Sequence, residues 1–321
     1  MTTPASIPPM PDSFADRLRD IAGPEGCNRI LRSITTPRPL SIRIQGDDGV
    51  RCEVINELET GGFHPEAVSW CPEAYRLHGG DRSSVQETKS YRSGHLWIQS
   101  LSSMAAVSAL SVARGDDVLD LCAAPGSKTS MIAHMQAGEG VLVANDRSRQ
   151  RLFKLRANLR QLGVSGVEIT CLPGASYGSS HAGCFDRVLV DAPCSGEGML
   201  HAGDTKGLAE WSEGRIRRLA RQQAGLLASG LKTLRPGGCC VYSTCTYAPE
   251  ENEVLVDRVL AKLGDRFSID PLPAELPRGD SGIVRWKDRD LHPSLRRALR
   301  LLPEDGQGLR GFFMIRIRRV G

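Results

Sequence analysis

Apolar and polar residues alternate with short, mixed periods over residues 1–95 and predict a small α+β domain there. The predicted elements are a helix over 14–34 broken at Gly23-Pro24, a strand over 37–45, a helix over 54–58, and strands over 67–70 and 75–77. The stretch 79–94 is polar and rich in Gly and Ser, which favours a loop and a domain boundary. Four prolines among small polar residues indicate a loose arm over 1–11.

From residue 96 to residue 321 the pattern changes to apolar runs of strand length separated by amphipathic helices. The predicted elements are helices over 96–112, 128–135, 148–162, 216–234 and 250–263, and strands over 118–121, 141–144, 167–171, 187–190, 239–242 and 311–318. Arg235-Pro236-Gly237-Gly238 is typical of a helix stop. Strands separated by helices predict a parallel sheet with helices on both faces, so this second domain is predicted to be α/β and Rossmann-like.

The stretch from Val118 to Thr129, VLDLCAAPGSKT, joins a predicted strand to a predicted helix through a turn of small residues. Such a turn lets a nucleotide-like ligand approach the backbone, and the first N–H groups of the helix then face that ligand. An ordinary tight connection is the alternative. Asp146, after the next strand, has the position of an acid that binds both ribose hydroxyls, although a helix-capping role fits it equally well.

Two later strands end in segments that contain cysteine. Asp191-Ala192-Pro193-Cys194 follows the fourth strand, and Cys245 follows the fifth. Because parallel strands end at the same edge of a sheet, Cys194 and Cys245 are expected to lie close together, where a soft nucleophile and an acid can act jointly. A buried structural thiol is the more common role of a cysteine. That interpretation is kept for Cys122, Cys171, Cys184, Cys239 and Cys240.

Composition limits the functional classes. The chain has 40% hydrophobic and 24% charged residues, no run of about 18 apolar residues and no apolar segment near its start, so we expect a globular protein without membrane span or signal peptide. Its ten cysteines are then expected to be reduced, as in the cytoplasm, and none has the spacing of zinc ligands, so no metal is expected. The net charge of +4 permits a nucleic-acid partner without requiring one.

Two groups of arginines contribute to this charge, and each is either a set of contacts to RNA phosphates or a solvated face. The C-terminal group is the better candidate for phosphate contacts, because the apolar residues of the other segment show that its helix also packs. The groups are Arg215, Arg217, Arg218 and Arg221, and Arg296, Arg297, Arg300, Arg310, Arg316, Arg318 and Arg319.

Four motifs, DLCAAPGSKT, VLVDAPCSGEG, YSTCTYAPEENE and RLLPEDGQGLRGFF, resemble those of the NOL1/NOP2/Sun family in their order. That family comprises S-adenosylmethionine-dependent RNA cytosine-5 methyltransferases. TPRPLSIRI and IQSLSSM resemble, more weakly, the domain that precedes the catalytic domain in bacterial members acting on ribosomal RNA. The resemblance implies a class I methyltransferase fold with a mostly parallel seven-stranded sheet, S-adenosylmethionine as cofactor and RNA as partner, with rRNA favoured over tRNA. A monomer is expected, and a protein partner is left open.

Carbon 5 of cytosine is too weak a nucleophile to accept a methyl group unless a thiolate first adds to carbon 6 and turns the ring into an enamine. The resemblance implies Cys245 as this nucleophile, Cys194 as the group that assists its release, and Asp191 as the contact to the ring nitrogen. Lys128 is implied to order the site or to contact substrate. The residues implied to bind the cofactor are Cys122, Ala123, Ala124, Pro125, Gly126, Ser127, Lys128, Asp146, Arg151 and Asp191.

The sequence departs from the family pattern at three places. Ser127 replaces the second glycine of the turn, Ser100 replaces an acid, and Gly174-Ala175 stands where the third strand is normally followed by an acid that contacts adenine. Two other functions stay open: a DNA cytosine-5 methyltransferase that uses Cys194 as nucleophile, and a catalytically idle RNA-binding scaffold.

Overall fold

The computed structural model describes residues 11–201, 207, 209–303 and 308–321, without the side chain of Asp12. Apart from Pro11, the predicted loose arm lies outside the described residues, as do residues 304–307 of the last sequence motif. The helices are α1 (Asp12–Thr35), α2 (Asp48–Thr60), α3 (Arg82–Glu87), α4 (Lys89–Arg92), α5 (Leu101–Leu110), α6 (Ser127–Gln136), α7 (Arg149–Gln161), α8 (Tyr177–Ser180), α9 (Glu213–Thr233) and α10 (Glu253–Leu263).

The strands extend over both parts of the chain. They are β1 (Leu40–Ile44), β2 (His64–Ala67), β3 (Ala74–His78), β4 (Leu96–Ile98), β5 (Val118–Asp120), β6 (Leu142–Asn145), β7 (Val167–Thr170), β8 (Phe185–Asp191), β9 (Leu234–Thr244), β10 (Phe267–Asp270), β11 (Asp280–Ser281), β12 (Arg285–Trp286), β13 (Arg289–Asp290), β14 (Leu299–Leu301) and β15 (Phe312–Arg319). Short 3₁₀ turns occur at Gly174–Ser176, Glu197–Met199, Gly264–Arg266 and Pro293–Arg297. No helix of the described part of the chain is long and apolar enough to cross a membrane.

The first sheet is antiparallel, with strand order β2-β3-β1-β4, and Ile42 of β1 lies opposite Tyr75 of β3. β4 corrects the prediction of one helix over 96–112, because Leu96–Ile98 pairs with β1 and only Leu101–Leu110 is helical. A short apolar run is compatible with either element, and here the pairing with β1 decides for a strand. The first sheet therefore extends past residue 95, while the domain boundary itself stays a prediction.

Two further predictions for the first part of the chain are wrong. The strand expected over 67–70 lies earlier, at His64–Ala67, after which the chain turns into β3. The polar stretch 79–94, predicted to be a loop, contains α3 and α4, because the side chains of Asp81 and Thr88 accept hydrogen bonds from the first-turn N–H groups of these helices. The polar residues thus begin short helices rather than prevent them.

The second sheet has nine strands in the order β11-β14-β15-β9-β8-β5-β6-β7, and β10 pairs with β15 beside this path. The five strands from β9 to β7 are parallel, as predicted. β5 lies where the strand order reverses, which is the position at which such sheets bind ligands at their carboxyl ends. Neighbouring residues of β5 contribute to different core clusters, one with α5 and α6 and the other with α9 and α10.

The prediction of a seven-stranded sheet is wrong, because this sheet has nine strands in the described part of the chain. The strand expected over 239–242 extends over Leu234–Thr244 and includes the predicted helix stop, although α9 does end directly before it at Thr233. β15 pairs antiparallel with β9, with Ile315 opposite Tyr242. β10, β11 and β14, which add to the same antiparallel side, have only two to four residues each and leave no period in the sequence.

Buried charged side chains connect the first part of the chain to the larger sheet domain. Arg43 of β1 is fully buried, and its Nη2 donates to Oγ of Ser130 in α6 at 2.8 Å. Arg17 of α1, 5% exposed, forms an ion pair with Glu250. Both arginines link elements more than 80 residues apart in the sequence, so the first part of the chain contacts the large-sheet domain at two separate places.

Candidate active site

The turn after β5 places backbone groups at the point where the strand order reverses. Gly126 has a φ of +107°, a conformation that favours glycine, and it is the N-cap of α6. The Ala123 N–H donates to the Asn145 carbonyl at 2.8 Å, which ties the turn to β6. Ser127, a departure from the family pattern, accepts a hydrogen bond from Trp97 Nε1 at 3.1 Å. The turn is thus held by hydrogen bonds to β6 on one side and to Trp97 of β4 on the other.

Asn145 connects three strand ends at this edge and was not singled out from the sequence. Its Nδ2 donates to the carbonyl oxygens of Leu121 and Leu172, each at 3.1 Å. Its Oδ1 accepts from Thr170 Oγ1 at 2.9 Å and from the Leu172 N–H at 3.0 Å. A buried amide with its hydrogen bonds satisfied holds the edge rigid. The signal in the sequence is a polar residue at the end of the apolar run of β6.

Asp146, directly after β6, is 3% exposed. Its Oδ1 accepts from the Ser148 N–H at 2.9 Å, but the N-cap of α7 is Ser148, so Asp146 is not the helix cap that the sequence allowed. Its Oδ2 lies 3.0 Å from Arg151 Nη1, and the same guanidinium donates to the Ala124 carbonyl. Two of the predicted cofactor residues, Asp146 and Arg151, therefore meet beside the turn.

Lys128 and Asp191 form an ion pair between the tips of β5 and β8. Nζ lies 2.7 Å from Oδ2 of Asp191, and Oδ1 of Asp191 accepts from Ser243 Oγ at 2.8 Å. Burial acts to lower the pKa of Lys128, but the attraction and the hydrogen bond of Asp191, together with the nearby Asp120 and Cys245, outweigh burial and the pKa is raised. Lys128 therefore keeps its proton near neutral pH.

Cys194 and Cys245 lie together at the tips of β8 and β9, as expected from the strand order. Their Sγ atoms are 3.0 Å apart, and the Cys245 N–H donates to Cys194 Sγ at 3.2 Å. Both cysteines are free thiols. The contact with the Cys245 thiol, together with burial, raises the pKa of Cys194 well above its usual value. Cys194 is accordingly held in its protonated form.

A buried carboxylate positions the loop that carries Cys194, and sequence reasoning missed it. Glu251 Oε2 accepts from the Ser195 N–H at 3.0 Å and from Gln223 Nε2 at 2.6 Å. Gln223 Nε2 also donates to the Pro193 carbonyl at 2.9 Å, so the residues on both sides of Cys194 are held. Burial raises the pKa of Glu251 to about 7. The sequence did contain a signal for Glu251, because this acid lies six residues after Cys245 in the same motif, YSTCTYAPEENE.

Two cavities open at this edge of the sheet. One, of about 400 Å³, is lined by Cys245, Lys128 and Asp191 among others and is called the Cys245 cavity below. The other, of about 470 Å³, is lined by Asp146 and Arg151 among others and is called the Asp146 cavity. Cys122 lines both, so the two cavities are neighbours at this residue.

The predicted cofactor residues are divided between these cavities. The Cys245 cavity is lined by Cys122, Ala123, Ala124, Pro125, Ser127, Lys128 and Asp191, and the Asp146 cavity by Cys122, Asp146 and Arg151. Gly126 lines neither of them and acts through the conformation of the turn. Gly174 and Ala175, which replace the usual acid, line the Asp146 cavity. Both are small and uncharged, so this part of the wall offers a ligand van der Waals contact and no charged group.

Asp120, at the end of β5, lines the Cys245 cavity and is 1% exposed. Its Oδ2 accepts a hydrogen bond from Thr129 Oγ1 at 2.7 Å. Burial nevertheless raises the pKa of Asp120 to about 7, because a charged carboxylate is disfavoured away from water. The sequence showed only that this acid ends an apolar strand.

Several arginines proposed as phosphate contacts are engaged within the protein instead. Arg300, 4% exposed, forms two hydrogen bonds of 2.6 Å with Glu253, and Arg318 pairs with Asp270 at 2.7 Å. Each of these two arginines thus has a carboxylate partner within the protein, and that partner could not be read from the charge pattern because it lies more than 40 residues away in the sequence. In the arginine group of α9, Arg215 and Arg217 form exposed ion pairs with acids four or five residues away. Arg310 differs, because it lines the Cys245 cavity.

Comparison with known proteins adds sequence relatives. A family model described as 16S rRNA methyltransferase RsmB/F matches residues 107–317. The ribosomal RNA small subunit methyltransferase F of Aeromonas salmonicida is 35% identical over 277 residues, which are 84% of this chain and 58% of that protein. The human 28S rRNA (cytosine(4447)-C(5))-methyltransferase is 32% identical over 312 residues, 96% of this chain and 38% of that protein. The chain thus spans little more than half the length of the bacterial relative.

A solved structure is similar over nearly all of both chains. It is the crystal structure of a methyltransferase homolog protein from Pyrococcus horikoshii, which is 30% identical with a TM-score of 0.81. The similarity covers 96% of this chain and 94% of that one.

Proposed function

The chain belongs to the 16S rRNA methyltransferase RsmB/F family, and from this membership we propose that it transfers a methyl group from S-adenosylmethionine to carbon 5 of a cytosine in RNA. The names of its relatives favour rRNA as the substrate, with tRNA as the alternative. We assign the methyltransferase domain to residues 96–321 and an accessory RNA-binding domain to residues 1–95. The observation that carries the proposal is the contact of Cys194 with Cys245 beside the ion pair of Lys128 and Asp191.

In this proposal the thiolate of Cys245 adds to carbon 6 of the cytosine. Asp191 contacts the ring nitrogen, and a proton held between its carboxylate and Lys128 passes to that nitrogen as the carbon–sulfur bond forms. The electron pair of the ring double bond then becomes available at carbon 5, which takes the methyl group. The 2.7 Å contact between Lys128 and Asp191 supports this pathway, because it places the proton next to the group that must deliver it.

Release of the product breaks the same carbon–sulfur bond. The proton on carbon 5 leaves to a base, its electron pair restores the ring double bond, and the thiolate of Cys245 departs, while the proton on the ring nitrogen returns to the Lys128–Asp191 pair. Cys194 assists by donating a hydrogen bond from its Sγ to the departing sulfur, 3.0 Å away. The raised pKa of Cys194 supports this role, because a donor must keep its proton.

The Asp146 cavity fits the adenosine part of S-adenosylmethionine. Asp146 offers a carboxylate to the ribose hydroxyls, and Gly174, Ala175 and Leu226 form a wall against which the flat adenine ring can lie. When bound, the cofactor supplies the electrophilic methyl group. Cys122 lines this cavity and the Cys245 cavity, so the proposal places the methyl group of the cofactor near Cys122 and the cytosine in the Cys245 cavity.

The test is to compare Cys245→Ala with Cys194→Ala, using S-adenosylmethionine labelled in its methyl group and total RNA. We expect Cys245→Ala to fall to background, because no covalent route remains. Cys194→Ala keeps the nucleophile but loses assistance to release, so a protein–RNA adduct that resists denaturation and disappears on nuclease treatment should accumulate. Cys171→Ala is the matched control, since Cys171 is an exposed thiol outside both cavities.

The alternatives give different outcomes. A DNA-type mechanism would exchange the behaviour of the two variants, and an idle scaffold would methylate nothing and form no adduct. The proposed mechanism is contradicted if Cys194→Ala yields no adduct on an RNA that the unaltered protein methylates. It is also contradicted if Cys245→Ala methylates at a comparable rate. Bisulfite sequencing of RNA from cells without the protein would identify the modified cytosine.

A further inference from the structure

Three arginines from distant parts of the chain come together at the Cys245 cavity. Arg82 and Arg310 line the cavity, and Arg38 lies near them. Burial lowers the pKa of Arg310, and the positive charges of Arg38 and Arg82 lower it further. Arg310 therefore has two positive charges near it, and Arg82 and Arg310 share a cavity with the proposed nucleophile.

No carboxylate of the described residues forms an ion pair with any of these arginines. Arg310 Nη1 donates to the thioether sulfur of Met199 at 3.3 Å, which is a weak acceptor. Arg38 Nη2 donates to the carbonyl and the Oγ of Ser33, each at 3.2 Å. Arg300 and Arg318 differ, because each has a carboxylate partner. Within the part of the chain that the structure describes, no carboxylate offsets the positive charge of this cluster, and an anion would balance that charge.

The backbone holds this cluster in place. The Arg310 N–H donates to Ser102 Oγ at 2.9 Å, and the same hydroxyl donates to the Arg310 carbonyl at 3.0 Å. Arg82 is the first residue of α3, whose start is fixed by the capping box of Asp81 with Ser84. Positions held in this way cost little further ordering when a ligand binds.

We propose that Arg38, Arg82 and Arg310 form a phosphate site for the RNA backbone next to the target cytosine. This inference rests on the proposed function. A guanidinium group binds phosphate through two parallel N–H···O hydrogen bonds. Cys245 lines the same cavity as Arg82 and Arg310, so a phosphate bound there belongs to the target nucleotide or to its neighbour. Arg38 and Arg82 lie in the first part of the chain, which would thereby take part in positioning the base.

The first experiment measures the affinity of Arg82→Gln, Arg310→Gln and the double variant for a short single-stranded oligoribonucleotide with one cytosine, over a range of salt concentrations. We expect about a tenfold loss for each arginine, since hydrogen bonds to charged groups have this strength. The slope of log affinity against log salt should fall by about 0.7 for each phosphate that the variant no longer neutralises. The matched control is Arg258→Gln with Arg278→Gln, which removes two exposed arginines that lie outside the cavity lining and outside both arginine groups of the sequence analysis, and thermal unfolding confirms that all variants fold.

The second experiment replaces one phosphate beside the cytosine by a neutral methylphosphonate. The unaltered protein should lose about tenfold in affinity, and the double variant should lose little, because it no longer binds that phosphate. Equal slopes in the double variant and the control would overturn the inference. So would weaker binding of S-adenosylmethionine without RNA, which would assign the arginines to the cofactor carboxylate. These measurements do not depend on turnover, so a protein that binds as expected but never methylates would contradict the proposed function alone.

Discussion

The two cavities at the edge of the large sheet have similar volumes, about 400 and 470 Å³, but they are lined by different kinds of side chain. The Cys245 cavity brings together a thiol, the Lys128–Asp191 ion pair and two arginines. In the Asp146 cavity, Pro173, small residues and Leu226 surround the charged pair of Asp146 and Arg151. The Cys245 cavity thus contains the groups that can transfer protons or form a covalent bond. The Asp146 cavity contains mainly groups that can bind a ligand without reacting with it.

This difference predicts which quantity each substitution changes. A change to the groups of the Cys245 cavity that act on the cytosine, Cys245 and the Lys128–Asp191 pair, should lower the rate of methyl transfer more than it weakens cofactor binding. A change in the Asp146 cavity should weaken cofactor binding and leave RNA binding unchanged. Cys122 lines both cavities. The difference between the cavities therefore predicts separate effects only if the cofactor and the RNA meet beside Cys122 and nowhere else.

The largest effect is expected for Asp191→Asn. The amide keeps the shape of the side chain but cannot take up or deliver the proton of Lys128, so the rate constant of single-turnover methylation should fall by about 10² to 10⁴. Asp191 is also one of the residues implied to bind the cofactor, so the dissociation constant of S-adenosylmethionine, measured by calorimetry, can change, but we expect a change of no more than about tenfold, well below the change in rate. Ser243→Ala is the control, because it removes one hydrogen bond to Asp191 and leaves the carboxylate. A parallel loss of cofactor affinity in Asp191→Asn would erase the distinction between the cavities.

The next effect is expected on the other side, for Asp146→Ala. The loss of one charge-assisted hydrogen bond to the ribose, worth roughly 1.5–3 kcal/mol, should weaken S-adenosylmethionine binding by about 10- to 150-fold. The KM for RNA should stay the same. If calorimetry gives an unchanged dissociation constant, Asp146 serves only to hold Ser148 and Arg151, and the cofactor lies elsewhere.

A smaller effect should appear in the pH dependence of stability for Asp120→Asn. Because burial raises the pKa of Asp120 to about 7, the folded protein favours the neutral carboxyl group. The resulting stabilisation is complete below the ordinary pKa of Asp and is lost as the pH rises through about 7. The neutral amide avoids that loss, so the variant should have a higher Tm than the unaltered protein at about pH 8, and the difference should vanish towards about pH 4. The exposed Asp265→Asn serves as control, and parallel curves of Tm against pH would refute the expectation.

The smallest effect is expected for Ala175→Asp, which places an acid where the family pattern has one. Ala175 is exposed and lines the Asp146 cavity, so the longer side chain has room and can accept a hydrogen bond from the adenine amino group. Binding of S-adenosylmethionine should tighten by about three- to tenfold. Ser176→Asp, at a neighbouring exposed position outside the cavity lining, should have no such effect. A similar gain in both variants would mean that only the general charge matters.

The parallel strands and the meeting of the two cysteines could be predicted from the sequence, because long apolar runs separated by helices define both the sheet and the edge where its strands end. The antiparallel strands beside β15 could not. Each is too short to show a period, and its pairing depends on residues far away in the sequence. Leu96–Ile98 illustrates the same limit, because three apolar residues fit a helix or a strand until a partner is known.

The chemistry of the site was predictable only as far as the motifs extend. Cys194, Cys245 and Asp191 follow from strand ends and from a resemblance, but the support of Cys194 by Glu251 and Gln223 does not. The distances between such residues are decided by how α9 and the segment after β9 pack, which no local pattern records. The arginines show the reverse error, because a cluster in the sequence is dispersed among separate partners in the folded protein.

β4 has a consequence for how this protein can be divided. The strand is the last of the first sheet, and α5 begins at Leu101 after only Gln99 and Ser100. A fragment that starts at residue 96 would carry β4 without its partner β1, leaving an unpaired strand edge and an uncovered Trp97, which favours aggregation. The connection of two residues also lines the Cys245 cavity, so a cut there would open its wall. The part that we assign to RNA binding is thus not a module that can be exchanged alone. A chimaera that takes its first part from a relative would also have to take β4 and the two residues after it, which form part of the cavity wall.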